Sequence, residues 1–114
     1  MIKVAVYGSL RAGFHNHILL QSSKLIGSER ISGFDMYSLG AFPAIVQGVG
    51  DITVEMYEVN EHTFKRLDRL EGFPAFYDRM LVETSEGECW IYFQHTPPTN
   101  SKIDSGDWYE FYTS

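Results

Sequence analysis

The sequence predicts an α+β fold, a small mixed β-barrel or strongly curled sheet with flanking helices. Three observations predict it. Short β-rich apolar runs recur along the chain with Gly and Pro between them. One segment near residue 65 has strong helical periodicity, and a second, just after residue 17, has it weakly. At 114 residues, 44% of them hydrophobic, the chain is long enough to bury a core without staples, and one domain over residues 1–114 is expected.

Taken in order, IKVAVY (Ile2 to Tyr7) is a β-rich run closed by Gly8 and reads as a buried or half-buried strand. GSLRAGFHNH has the composition of a loop, and ILLQSSKLIG reads as a short helix or bend. Between Gly27 and Val59, the runs ERISGFDMYSLG, FPAIVQGV and ITVEMYEV have the spacing of consecutive antiparallel strands. NEHTFKRLDRLEG is the clearest helix. Asn60 is a good N-cap, Val59 and Phe64 stand at hydrophobic-staple positions, and Gly72 stops the helix with Pro74 just beyond. FYDRMLVETS and ECWIYFQH predict two further strands joined by a hairpin-like EGE. In the Pro- and Ser-rich tail, Trp108 and the aromatics after it most simply cover an open end of the barrel.

A formal net charge of −6, with nine scattered Lys and Arg residues, argues against a nucleic-acid surface, which needs clustered cations. The one cysteine, Cys89, has no partner for an internal disulfide and sits in a strand-like apolar run, where it reads as a small core residue. The N-terminal apolar run is short and broken by Gly, Ser and Arg, neither a signal peptide nor a membrane span. A cytoplasmic monomer with no membrane association is expected. His15 and His17 flank Asn16 but lack a third ligand at metal spacing, so neither a metal nor another cofactor is expected. Ser9 has no nucleophile-elbow context.

One residue departs from the helical pattern. With Phe64 as origin, Leu67 falls at about 300°, Leu70 at about 240° and Glu71 at about 340°, so Glu71 lies among the apolar positions. Lys65, Arg66 and Arg69 occupy the opposite side, and Asp68, on the margin, can reach water. A desolvated carboxylate has a raised pKa and destabilises the fold unless it is paired. Glu71 therefore either turns outward to pair with Arg69 or Arg79, as side chains at fraying helix ends do, or has a chemical task.

A second stretch is YGSLRAG, Tyr7 to Gly13, where consecutive backbone N–H groups in a turn can converge on an anion without a basic side chain. It is not a Walker loop or a dinucleotide fingerprint.

Together, VYGSL, AGFHNHILL, GAFPAIV, LDRLEGFPAFYDR and GDW, in that order from Tyr7 to Trp108, resemble the γ-glutamylcyclotransferase-like superfamily, also described as AIG2-like. The likeness is nearest to the γ-glutamylamine cyclotransferase branch. The resemblance implies a compact β-barrel with flanking helices and a cavity at one end. It implies that Tyr7, Gly8, Ser9 and Leu10 hold the α-carboxylate end of a γ-glutamyl group, and that the catalytic glutamate is Glu71. The activity implied is release of 5-oxoproline and a free amine from a small γ-glutamyl amine or γ-glutamyl amino acid by intramolecular cyclisation. Tyr77 and Tyr7 are candidate wall residues or hydrogen-bond donors near that group. Arg79, two residues beyond Tyr77 on a predicted strand, shares its face and is a candidate either to orient Glu71 or to make an ordinary surface or structural ion pair. The competing reading is a non-catalytic module that keeps the cavity for a small carboxylate or a protein partner.

Overall fold

A computed structural model of the chain describes residues 1–99 and 101–113; Asn100 and Ser114, both in the tail, lie outside the described residues. Among the described residues there are six strands: β1 (Ile2–Val6), β2 (Lys24–Ser38), β3 (Pro43–Val59), β4 (Asp78–Thr84), β5 (Gly87–Phe93) and β6 (Lys102–Ile103). With them are two helices, α1 (Glu61–Glu71) and α2 (Trp108–Thr113), and a 3-10 helix at His15–Leu20. The strands form one mixed sheet in the order β4-β5-β1-β3-β2-β6, with β1 parallel to β5 and every other pairing antiparallel. The sheet curls into a half-barrel, with β4 and β6 as its two edges. The α+β class therefore stands.

β1 explains its own composition. Val4 and Val6 belong to an apolar cluster with Leu67 of α1, whereas Ala5 and Tyr7 belong to a second cluster with Phe34, Ile45 and Met56. A strand covered on both faces reads as a continuous apolar run and not as an alternation.

The three strands expected between Gly27 and Val59 are two. PAIVQGV and ITVEMYEV are parts of β3, with Phe42 in the loop before it, and β3 pairs with β2 from Lys24↔Glu58 to Ser38↔Pro43. Between the pairs Ser32↔Asp51 and Phe34↔Gln47 the register shifts, so residues 48–50 bulge where a turn was expected. The bulge is possible because Gly48 and Gly50 lack a Cβ. A Cβ on either would overlap the Asp35 carboxylate, which accepts a 3.0 Å hydrogen bond from the Gly50 N–H. The second strand also starts earlier than expected, so that KLIG of the ILLQSSKLIG segment is β2, only its first three residues, 18–20, are helical, and residues 21–23 form a turn.

The tail is part of the core. β6 pairs with the end of β2 (Met36↔Ile103, Tyr37↔Lys102), and the Thr53 N–H donates to the Gly106 carbonyl at 2.9 Å. α2 then places Trp108, fully buried, in the cluster of Ile31, Phe34 and Met36, which also contains Cys89. No helix among the described residues is long and apolar enough to cross a membrane.

Gly106 is the hinge of this closure: it stands at φ 66°, and a Cβ there would overlap the Asp51 carbonyl oxygen. Gly106→Ala is expected to lose about 3 kcal/mol in chemical denaturation, by strain and by displacing the tail. Gly13→Ala, also at positive φ but with nothing within 4 Å of its Cβ, should lose only about 1 kcal/mol.

Candidate active site

The loop after β1 is fixed by contacts that leave its amides uncommitted. Gly8 has no room for a side chain, since a Cβ would lie 2.7 Å from Cγ and Cδ of Pro43. Its carbonyl accepts from the Arg11 N–H at 3.0 Å, and the Ser9 carbonyl accepts from the Asn16 N–H at 3.0 Å. Asn16 Nδ2 donates to Ser9 Oγ at 2.9 Å, and His17 Nδ1 donates to the Leu10 carbonyl, also at 2.9 Å. His17 thus braces the loop. By contrast, no hydrogen bond among the described residues is donated by the backbone N–H groups of Gly8, Ser9 and Leu10, and all three residues line one cavity. Unpaired N–H groups in succession form an anion-binding concavity.

Arg11, which the sequence did not single out, ties this loop to the rest of the fold. Its guanidinium is largely buried and reaches Glu55 Oε2 at 3.1 Å and Asp107 Oδ1 at 2.8 Å. Glu55 Oε1 accepts from the Ala12 N–H at 3.0 Å and from the Tyr57 hydroxyl at 2.8 Å. Asp107 Oδ1 accepts from the N–H groups of Tyr109 and Glu110 at 3.0 and 3.3 Å, capping α2. The signal was the arginine directly after YGSL and the aspartate of GDW, but pairing residues 96 positions apart is beyond one sequence.

The opposite wall begins with α1. Asn60 Oδ1 accepts from the Thr63 N–H at 2.8 Å, the expected cap. At the other end Gly72, at φ 63° and ψ 36°, donates to the Arg69 carbonyl at 3.2 Å, and the Phe73 N–H donates to the Asp68 carbonyl at 2.9 Å. These are the two bonds of a Schellman motif. The chain then folds back, with the Tyr77 N–H donating to the Glu71 carbonyl at 3.2 Å. Glu71 is thereby fixed as the last helical residue.

Its carboxylate takes part in none of the hydrogen bonds or ion pairs among the described residues, and burial pushes its pKa from 4.5 up to about 7. A cavity of about 170 Å³ brings Tyr7, Gly8, Ser9, Leu10, Glu71 and Tyr77 together. The two tyrosines are walls whose protons are already committed. The Tyr7 hydroxyl donates to the Tyr92 carbonyl at 2.8 Å and that of Tyr77 to the Pro43 carbonyl at 2.7 Å. Burial raises both phenols above their ordinary range, with the negative charge of Glu71 adding to it.

Arg79 is paired with Asp68 and not with Glu71, and Asp68, on the margin of the helix face as expected, keeps 21% of its side chain exposed. Arg79 Nε donates to Asp68 Oδ1 at 2.9 Å and Nη2 to Oδ2 at 3.2 Å. The guanidinium carbon lies 4.1 to 4.6 Å from the ring centroids of Phe73, Trp90 and Phe64. Asp68 also accepts from the Tyr92 hydroxyl at 2.7 Å. A planar cation gains from stacked rings and a bidentate carboxylate together, and this box supplies both. Helical spacing placed Asp68 on the margin of the apolar face, but it carries no information on the cation waiting there from β4.

Against this geometry, comparison with known proteins is informative. The family described as gamma-glutamyl cyclotransferase, AIG2-like, matches residues 4–110. The chain belongs to this family. A Vibrio cholerae member is 47% identical over 107 residues, covering 92% of this chain and 93% of its own. The gamma-glutamylcyclotransferase family protein YtfP of Escherichia coli is 35% identical over 108 residues, covering 94% and 96%. A crystal structure of a Pyrococcus horikoshii protein superposes with a TM-score of 0.90 at 33% identity, covering 99% of this chain and 94% of that one. The curled half-barrel is thus the γ-glutamylcyclotransferase-like fold.

Within that fold the raised pKa of Glu71 has a stability consequence. Between pH 4.5 and about 7 the folded protein holds a proton on Glu71 that the unfolded chain has lost, so this group makes stability fall as pH rises through that window. Glu71→Gln, which removes the charge, should therefore be more stable than the parent at pH 8 by about 2 to 3 kcal/mol. The gain should vanish near pH 4, as read from urea denaturation at the two pH values.

Proposed function

We propose that the protein is a γ-glutamyl cyclotransferase of the γ-glutamylamine type, which releases 5-oxoproline and a free amine from a γ-glutamyl amine. The observation that carries this reading is the pairing, in one small cavity, of an unpartnered Glu71 with the uncommitted amides of Gly8, Ser9 and Leu10. The amides suit the substrate α-carboxylate. With that end held, the α-amine and the γ-carbonyl of the same molecule are brought together, an intramolecular arrangement that lowers the barrier by several kcal/mol.

The substrate ammonium gives a proton to ionised Glu71, and its nitrogen forms a bond to the γ-carbonyl carbon. As the tetrahedral carbon collapses, its bond to the departing nitrogen breaks. That nitrogen keeps the electron pair and takes the proton back from Glu71; the ring nitrogen then gives its second proton to the re-ionised Glu71, which passes it to the departing amine so that this leaves as an ammonium ion. No atom is supplied from outside. A pKa of about 7 suits a group that must accept and return a proton near neutrality. Tyr7 and Tyr77, with their protons tied to backbone carbonyls, shape the cavity and keep water from Glu71.

Glu71→Gln should lower kcat for 5-oxoproline release from a γ-glutamyl amide by about 10²- to 10⁴-fold, with KM little changed. In the parent, kcat/KM should fall about tenfold per pH unit below about pH 7, because the base is then protonated, and should flatten above it. Full activity in the variant would remove Glu71 from the mechanism. Thermal stabilisation by γ-glutamyl compounds with no 5-oxoproline formed would show a binding module instead.

A further inference from the structure

Part of the cavity wall is left unexplained by the glutamyl group. Phe42, Leu70 and Phe76 line the cavity, yet they are 38%, 42% and 53% exposed. They come from three separate segments: the loop between β2 and β3, the last turn of α1, and the loop leading into β4. The rings of Phe42 and Phe76 meet edge to face at 6.3 Å, and Phe76 meets Tyr77 in the same way at 4.9 Å. A single exposed apolar side chain needs no explanation. Three of them on the margin of one cavity, which also holds an unpartnered carboxylate, form a wall suited to an apolar ligand group.

Charge in the cavity narrows the choice of that group. Glu71 is the only charged residue among those lining it. Arg11 is committed to Glu55 and Asp107, Arg79 is committed to Asp68, and neither lines the cavity. A carboxylate on the departing portion of the substrate would therefore meet aromatic rings and a negative Glu71, with no lining cation to offset its desolvation.

The geometry points to Phe42, Leu70 and Phe76 as the subsite for the leaving amine, selecting uncharged apolar amines over amino acids and peptides. The inference rests on the cyclotransferase reading above and names its substrate class. During turnover the substituent on the departing nitrogen lies against these three side chains. The bond that breaks is the one between that nitrogen and the γ-carbonyl carbon, and the products are 5-oxoproline and an apolar primary amine.

The test uses two compounds that differ in one carboxylate, γ-glutamyl-isopentylamide and γ-glutamyl-leucine, with γ-glutamyl-methylamide as a third that lacks the apolar substituent. The wild-type protein should prefer the isopentylamide over the leucine compound by at least about tenfold in kcat/KM, carried mainly by KM. Phe76→Ala should raise KM for the isopentylamide and shrink that preference to within about threefold, while Phe76→Leu, which stays apolar, should keep most of it. Equal or better turnover of γ-glutamyl-leucine by the wild type would overturn the inference. So would a preference that survives both Phe42→Ala and Phe76→Ala, or turnover of the methylamide alone. If none of the three compounds yields 5-oxoproline, the cyclotransferase reading itself fails and the subsite falls with it.

Discussion

The bidentate pairing of Arg79 with Asp68 is the interaction on which the site depends. Two carboxylates, Asp68 and Glu71, stand one turn apart near the end of α1, and one guanidinium lies close by on β4. Asp68 takes the cation, with Tyr92 as a further donor and three rings around the guanidinium. Glu71 is left without a partner. If Arg79 were released to a distance of about 6 Å from Glu71, attraction at an effective dielectric of about 20 would reach about 3 kcal/mol, or about 2 pKa units. That is enough to cancel most of the rise that burial gives Glu71. The pairing therefore locks the last turn of the helix and at the same time keeps its neighbour protonatable near neutrality.

A second brace works on the other wall. Arg11 joins the loop after β1 to Glu55 in the middle of the sheet and to Asp107 at the start of α2. One guanidinium faces two carboxylates there, and neutral donors from Ala12, Tyr57, Tyr109 and Glu110 satisfy the remaining oxygen lone pairs, so the loop can be held firmly while its amides at residues 8 to 10 stay available. Rigidity near the site is thus supplied by ion pairs outside the cavity. The cavity keeps the unfavourable features, a desolvated acid and unpaired amides, that binding and proton transfer require. Such features lower stability where they occur, and a fold that tolerates them needs compensation from its neighbours.

How much of this was legible in the sequence depends on how local each signal is. The boundaries of α1 were readable because Asn60 and Gly72 act on their own helix, and the inward direction of Glu71 followed from the same spacing. The β4–β5 hairpin and the buried β1 were readable from short apolar runs. The break between FPAIVQGV and ITVEMYEV is a bulge at Gly48 and Gly50 and not the end of a strand, because a bulge and a turn call for the same residue, and only the register against Asp35 separates them. The two-residue strand β6 is too short to leave a pattern, and its pairing with Met36 and Tyr37 is set by contacts far along the chain. That Asp68 and Arg79 pair with each other was not legible, for a similar reason. The aromatic box that joins them is assembled from α1, the following loop and β5, and no spacing rule reports on it. The YGSL and LEGFPAFYDR stretches were recognisable together, whereas Arg11 and Asp107, equally important to the loop, carry no local pattern.

The bond between Arg11 and Asp107 spans 96 positions, and this bears on how the protein is made. During synthesis the first strand and its loop leave the ribosome early, but the brace on that loop forms only after residue 107 has emerged. Long-range closure of this kind is slow relative to local structure formation. A nascent or interrupted chain that ends before Asp107 thus lacks one of the two carboxylates that hold Arg11. Full bracing of the loop is reserved for chains synthesised at least as far as their late aspartate.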